Sequence, residues 1–399
     1  MRVPLLFTRD LRVHDHPALA HAARPGNEVL PMFVLDERIA RRSPNRTRFL
    51  RDCLIDLDRA LAARGGGLSV RCGRPEEVVP GEAAKARCEA VYLTQDYTGW
   101  ATRRATALRE RCARLGIAVR SFPGHAVIEP GAIAPAGKTA YSVFTPYLRA
   151  WSVATRRRIE RPPSAFIPVG GPGTGVPPGY RWPSAEAAFP PVGGESEARR
   201  RLRRFLRTGL ASYGARRDRL DDDATSHLSA FLRFGCLSAN EVVRLADHRG
   251  NGDFVRQVAW RDFFLQLVAA DQHLTHRDLR PERAPRWVRD AERLDAWKRG
   301  ETGEPLVDAA MRQLIAEGWM PNRARLIAAS YLTRTLGIDW RAGAEHFDRH
   351  LVDGDPSSNA GNWQWVAGTG AAPRRGRALD LERQARRFDP EGAYRSRYP

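Results

Sequence analysis

The sequence predicts an α/β N-terminal domain, built on a parallel five-stranded Rossmann-like sheet, followed by an all-α C-terminal domain. Five short apolar runs carry the first half of that reading: Val3–Phe7, Val29–Leu35, Leu68–Arg71, Ala90–Thr94 and Ile117–Phe122. Helically spaced segments rich in Ala, Arg and Leu separate them, and strand alternating with helix is the pattern of a parallel sheet covered on both faces. After about Ser196 the strand signals stop and helical patterns follow one another. At 399 residues the chain has room for two or three domains.

The α/β domain is assigned to residues 1–130. Its first long helix shows in Phe49, Leu50, Cys53, Leu54, Leu57 and Leu61, which share one face. The turn after the first strand, TRDLRVHDHPAL, has no GxGxxG, so it gives no support for a dinucleotide in the usual Rossmann position. Residues 131–195 read as a connector. Within it VGGPGTGVPPGYRWPS is Gly- and Pro-rich without fingerprint spacing, a loop rather than a phosphate cradle. The aromatic segment Tyr141–Trp151 (YSVFTPYLRAW) is expected to dock on one of the domains. Residues 196–399 form the helical domain. Val307, Ala310, Met311, Leu314 and Ile315 make one apolar face, stopped by Gly318 with Pro321 just beyond. The next helix begins near Asn322, is apolar at Leu326, Ile327, Tyr331 and Leu332, and stops at Gly337.

Composition narrows the function. The net charge is +19, and all but three of the 65 basic residues are arginine, the exceptions being Lys85, Lys138 and Lys298. Arginine forks onto phosphate and stacks on bases, so nucleic acid leads as partner class, against a merely solvated surface. The five cysteines show no CxxC or Cys/His ligand spacing, so neither a disulfide framework nor a metal site is indicated. The N-terminus is charged by Arg9, too early for a signal peptide, and no apolar run approaches the ~18 residues that span a bilayer. A soluble, cytoplasmic, monomeric protein without a membrane partner is expected.

The stretch Leu351–Trp365, LVDGDPSSNAGNWQW, places Asp353 and Asp355 ahead of Asn359, Asn362 and a Trp-Gln-Trp. A calcium loop fails, because Ser358 stands where the turn wants Gly and Gln364 where the twelfth position wants Glu. Two readings stay open: a capped loop with tryptophans in the core, or a pocket for a large planar ligand. If buried, the acid pair needs a cationic or hydrogen-bond-donating partner.

Several blocks share the helical half with that stretch: ATSHLSAFLRFGCLS, RQVAWRDFF, GEPLVDAAMRQLIAEGWMPNRARLIAASYL and GIDWRAGAEHFDRHL. With FTRDLRVHDHPAL at the N-terminus, they make the chain resemble the photolyase/cryptochrome family over about residues 3–370. Within it the resemblance is to bacterial, actinobacterial class I enzymes acting on cyclobutane pyrimidine dimers. It implies an antenna domain, then a helical domain holding a bent FAD. It places Tyr213, Thr225, Ser226, His227, Leu228 and Ser229 at phosphate and ribityl positions, and Phe254 beside them among the cofactor residues. His227 stands where relatives often have Arg, which makes any cationic contribution there pH-dependent. Arg261, Asn322, Arg325, Asp353 and Asp355 match positions around the isoalloxazine, with Asp353 expected to pair with Arg325. Asn359 matches the residue facing flavin N5, where Asn supports a repair-type, fully reduced flavin. Trp363, Trp340 and Trp287 fall on the family's electron relay. Trp260, Trp365, Gln257, Arg217, Arg323 and Gln384 match positions lining or flanking the DNA-lesion pocket, and photolyases are themselves among the enzymes known to flip their target bases out of the duplex.

The implied activity is a carbon–carbon lyase reaction: light-driven repair of UV-damaged DNA by an electron from excited reduced FAD. The alternative is a cryptochrome-like blue-light photoreceptor that binds FAD without repair; a third reading is an Arg-rich DNA-binding protein that has lost flavin. Gln257 departs from the Glu common in the cyclobutane branch, and Leu326 from its Met, while the absence of His at 326 disfavours (6-4) repair. Around DYTGWATRR the Asn-Glu pair of folate-binding relatives is absent, so 8-hydroxy-deazaflavin is favoured over methenyltetrahydrofolate as a second, antenna chromophore. Relatives continue beyond a segment like FDPEGAYRSRYP, so either the closing helices are missing or the chain is truncated, with a cost to stability or FAD retention expected.

Overall fold

The computed structural model describes residues 1–171, 173–188, 190–372 and 377–399. Each apolar run becomes a strand: β1 (Arg2–Phe7), β2 (Glu28–Leu35), β3 (Ser69–Cys72), β4 (Ala90–Thr94) and β5 (Ala118–Phe122). They form a parallel sheet in the order β3-β2-β1-β4-β5, with Val3 opposite Val29 and Leu5 opposite both Pro31 and Tyr92. The β1/β4 junction, where the strand order reverses, is the switch point at which such sheets leave a crevice beyond their carboxyl ends. The connector adds what its composition concealed: a two-residue strand, β6 (Ile167–Pro168), pairs with the start of β2.

The turn after β1 is filled by its own side chains, consistent with its lack of a glycine fingerprint. Asp10 accepts from the Thr8 N–H at 2.6 Å and pairs with buried His16 at 3.0 Å. The buried Arg12 guanidinium donates to the carbonyls of Gly124 and Gly235, each at 3.0 Å, and the Leu11 N–H donates to the Phe234 carbonyl at 3.2 Å. The turn is thereby fastened to the helical domain. Apolar burial follows the same line, because one core cluster runs from Val3, Leu5 and Phe49 through Phe231, Val243 and Phe263. A second core surrounds Trp297, Met311, Trp340 and Trp363 and lies wholly in the helical half.

Helix Pro44–Ala62 starts on the Ser43 cap with Pro44 in its first turn and buries Phe49, Cys53, Leu54, Leu57 and Leu61. Helix Pro305–Glu317 ends at Gly318, whose φ of 65° is the left-handed cap that glycine provides cheaply. Ile315 corrects the sequence reading, being exposed beside a stripe centred on Val307, Met311 and Leu314. The next helix, Asn322–Ser330, passes into a π-turn at Tyr331–Thr335 before Gly337. Helices Leu381–Phe388 and Ala393–Arg397 are present, and the buried Tyr394 hydroxyl donates to Gln313 Oε1 at 2.7 Å. Among the described residues, no helix is long and apolar enough to cross a membrane.

Candidate functional site

Helix Pro356–Ala367 begins with Pro356 in its first turn and Asp355 as its cap, the Asp355 carboxylate accepting from the Ser358 N–H at 2.9 Å. The capped-loop reading is therefore right as far as it goes, but both aspartates also meet arginine. Arg325 grips Asp353 with both prongs, Nη1 to Oδ1 at 3.0 Å and Nη2 to Oδ2 at 2.7 Å. Asp355 is paired with Arg9, which reaches in from the turn after β1 and also approaches Asp96 at 3.5 Å. Burial pushes the Asp355 carboxyl up, yet the charges of Arg9 and Arg261 and the Ser358 N–H outweigh it and hold it well below the usual range. The same burial, reinforced by Arg9 and Arg261, pushes neighbouring His125 down to about 3, so it is neutral. Arg9 and His125 were assigned no role from sequence, and Asp96 only as the first residue of DYTGWATRR; for Arg9 the signal was the FTRDLRVHD block.

Asn359 sits one turn into that helix. Its side-chain amide donates to the Ala344 carbonyl at 2.9 Å, which fixes the flip of the amide and leaves its oxygen as the free end. Two of the named helices meet here: a Cβ on Gly361 would come within 2.1 Å of Phe264 Cδ1, so only glycine admits helix Gly252–Ala270 this close. That second helix carries Phe254, Gln257, Trp260 and Arg261, at helical spacings that put them along one side. Trp260 and Trp365 meet edge to face at 5.1 Å across the junction. Phe144, from the aromatic segment of the connector, stacks on Trp260 at 3.6 Å and 9°. The segment thus docks on the helical domain, where the Trp151 indole also donates to Asp262 at 3.1 Å. Gln257 makes one weak bond, to the Asp253 carbonyl at 3.4 Å, and its amide is otherwise available.

Segment Thr225–Ser229 leads into the short helix Ser229–Phe234. His227 takes φ +50°, pairs with Asp223 and lies 4.1 Å from the Trp319 ring. The Thr225 hydroxyl is buried with no partner among the described residues, and an orphaned buried hydroxyl calls for a ligand or water. Leu228 is buried and its N–H bonds Ser226 Oγ at 3.4 Å. Tyr213 and Phe254 pack edge to face at 5.3 Å, while Ser229 and Asn322 are exposed.

Arg323 pairs with Asp218 at 3.1 Å, approaches Gln384 at 3.4 Å and lies over Phe388 at 4.3 Å; Arg217 is the neighbour of Asp218. No hydrogen bond, ion pair or ring contact joins this group to Trp260, Trp365 or Gln257 among the described residues. The three tryptophans assigned to the relay make no ring contacts with one another among the described residues. Trp363 packs on Gly343, where a Cβ would meet its Cη2 at 2.2 Å, one turn from Trp340. Trp287 precedes the Val288–Ile338 bridge two residues before Trp340, and is half-buried where the other two are buried. Trp297, which the sequence reading passed over, touches Trp363 at 6.1 Å.

Between the carboxyl ends of the sheet and these helices lies a cavity of about 700 Å³, bordered by Arg9, Asp36, Asp96, Trp100, Trp340 and Asn359. Among the described residues no group of three or more His, Cys, Asp or Glu is placed to hold a metal.

An α/β domain in front of a helical domain with this paired-acid, tryptophan-walled site defines a class of two-domain flavoproteins. The family described as DNA photolyase matches residues 3–165, and the FAD binding domain of DNA photolyase matches residues 254–399. A deoxyribodipyrimidine photo-lyase of Streptomyces griseus is 43% identical over 98% of this chain and 87% of its own length. A cryptochrome from Synechocystis sp. PCC6803 superimposes with a TM-score of 0.92 at 28% identity, covering 100% of this chain and 88% of that one. An archaeal photolyase from Sulfolobus tokodaii, solved with two FAD molecules, gives 0.85 at 28% identity over 100% and 90%. The chain belongs to the photolyase/cryptochrome family.

Proposed function

We propose that this chain is a deoxyribodipyrimidine photo-lyase, repairing cyclobutane pyrimidine dimers in UV-damaged DNA with FAD and blue light. The observation that carries the reading is the close contact of helices Gly252–Ala270 and Pro356–Ala367 at Gly361, across which Trp260 and Trp365 meet edge to face. When bound, FAD supplies a light-absorbing one-electron donor. The residues present fit it. Thr225 offers an unpartnered hydroxyl, with Ser226, His227, Leu228, Ser229 and Tyr213 around it, for the phosphates and ribityl chain. Arg325, Asp353, Asp355, Arg261, Asn322 and Phe254 would hold the ring system, and Asn359 would present its amide oxygen to N5.

The chain's own contribution is position and field, because no nucleophile or general base is required. Trp365 and the part of Trp260 not covered by Phe144 offer apolar surface to an extruded pyrimidine dimer, and Gln257, on the same side of its helix as Trp260, can hydrogen-bond a thymine edge. Arg217, Arg323 and Gln384 would take the flanking strand, making binding salt-dependent. Trp363, Trp340 and Trp287 would return the flavin to its reduced state from the surface inward. The protein acts as a monomer in this reading.

Gln257 can donate a hydrogen bond but holds no acidic proton. Gln257→Glu is therefore expected to raise repair per absorbed photon while leaving affinity for dimer-containing oligonucleotide within about twofold, as for a conserved hydrogen bond. Quantum-yield and binding titrations check this, and equal yields refute it. The cavity beyond the sheet suits a second flat chromophore. Trp100, Arg103 and Arg104 from the DYTGWATRR segment border it, and 8-hydroxy-deazaflavin is preferred there over methenyltetrahydrofolate. Titration with each compound distinguishes them. The likeness to a cryptochrome keeps a photoreceptor as the second reading, and repair in light but not darkness separates the two.

A further inference from the structure

Of the three tryptophans in the series, Trp340 is the one that stands in a built electrostatic site. Its ring is buried, and its indole Nε1 donates to Asp278 Oδ1 at 2.9 Å. The other Asp278 oxygen accepts from Arg341 Nη2 at 2.8 Å. Arg341 also pairs with Asp339 at 3.0 Å, and its guanidinium lies 4.7 Å over the Trp340 ring. Two carboxylates and one guanidinium therefore surround a buried indole, an excess of one negative charge. Burial pushes the Asp278 carboxyl up, but the Thr369 hydroxyl, then Arg341 and the Trp340 N–H, more than offset this and hold it below its usual range. Trp297 makes the contrast: equally buried, it gives its N–H to the neutral Ala328 carbonyl at 3.0 Å.

A carboxylate on a neutral indole N–H gains an ordinary charge-assisted hydrogen bond. It gains far more if the ring becomes positive, since an opposite charge at this range and depth interacts strongly. We propose that Asp278 is a positioning residue for light-driven electron flow through the tryptophans, stabilising positive charge on Trp340 when an electron leaves that ring. The inference deepens the proposed function and rests on reading Trp363, Trp340 and Trp287 as a relay. With a light-excited flavin bound as the acceptor, Trp363 would give up an electron and would take one from Trp340 in turn. No bond breaks in that step, and Trp340 is left as an indole radical cation. If the charge stays there, the Nε1–H bond breaks and an Asp278 O–H bond forms, leaving a neutral indole radical beside a carboxylic acid. When Trp287 refills the hole instead, the proton stays on nitrogen.

The test uses the FAD-loaded protein with a thiol reductant under blue light. Asp278→Asn keeps the size and a carbonyl acceptor but removes the charge and the proton acceptor. It is expected to retain FAD content and dimer repair after chemical reduction, while the yield of flavin photoreduction falls by roughly tenfold or more. Asp278→Glu is expected to recover part of that yield. In a Trp287→Phe background, transient absorption should show the stranded tryptophan radical decaying with a solvent isotope effect that Asp278→Asn abolishes. A normal photoreduction yield in Asp278→Asn, with the yield lost in Trp363→Phe, overturns the assignment of Asp278. A normal yield in Trp363→Phe overturns the relay reading itself.

Discussion

Replacing Arg9 with alanine is expected to cost the folded protein about 3–5 kcal/mol near neutral pH, the range for removing one partner of a buried ion pair. Arg9 is the cation that Asp355 and Asp96 share, and its Nε also donates to the Arg233 carbonyl at 3.3 Å. Without it two largely buried carboxylates lose the cation they share at the junction of the domains. Asp355 in the intact protein is held well below its unfolded value, against burial, chiefly by Arg9. A depressed carboxyl contributes stability that is present above the unfolded pKa, about 3.9, and is lost as pH falls through the folded one. The deficit of Arg9→Ala is therefore full above about pH 5 and shrinks as the carboxylates are protonated. Urea unfolding of both proteins from neutral pH down to the carboxylate range measures it. A deficit independent of pH would assign the loss to packing and contradict the electrostatic account.

The second large effect is expected at Arg325. Arg325→Ala leaves Asp353 buried without its fork, with a stability loss of about 3 kcal/mol and release of FAD during gel filtration. Arg325→Lys keeps a charge but not the bidentate geometry, so it should retain an intermediate share of flavin. The double variant Arg325→Ala with Asp353→Leu is expected to regain stability and stay colourless, because the buried charge is gone while the cofactor contacts remain lost. Flavin absorbance at unchanged protein concentration decides each case. A fully yellow Arg325→Ala would place the pair outside the flavin's reach.

These two arginines also mark how far the sequence could be read. The Asp353–Arg325 pair was accessible because both residues sit in blocks of the helical half whose resemblance suggests their roles, and the structure joins them. Arg9 lies 346 residues from Asp355, and neither propensity nor periodicity carries information over such a separation. The central strands β1, β2 and β4 were legible because burial on both faces demands apolar runs, while the partly exposed edge strands β3 and β5 showed as shorter ones. The connector was not, since its order comes from docking: Phe144 is placed by Trp260, and Trp151 by Asp262. The tryptophan series could be named by resemblance, but spacing gave no hint that Asp278 would meet Trp340.

The central claim is that this chain uses light and FAD to split pyrimidine dimers. The direct measurement is incubation of the FAD-loaded, chemically reduced protein with a dimer-containing oligonucleotide, one half under blue light and one half in darkness. Restored thymines in the illuminated sample alone are the expected result. A yellow protein that binds the oligonucleotide and leaves every dimer intact under light would contradict it.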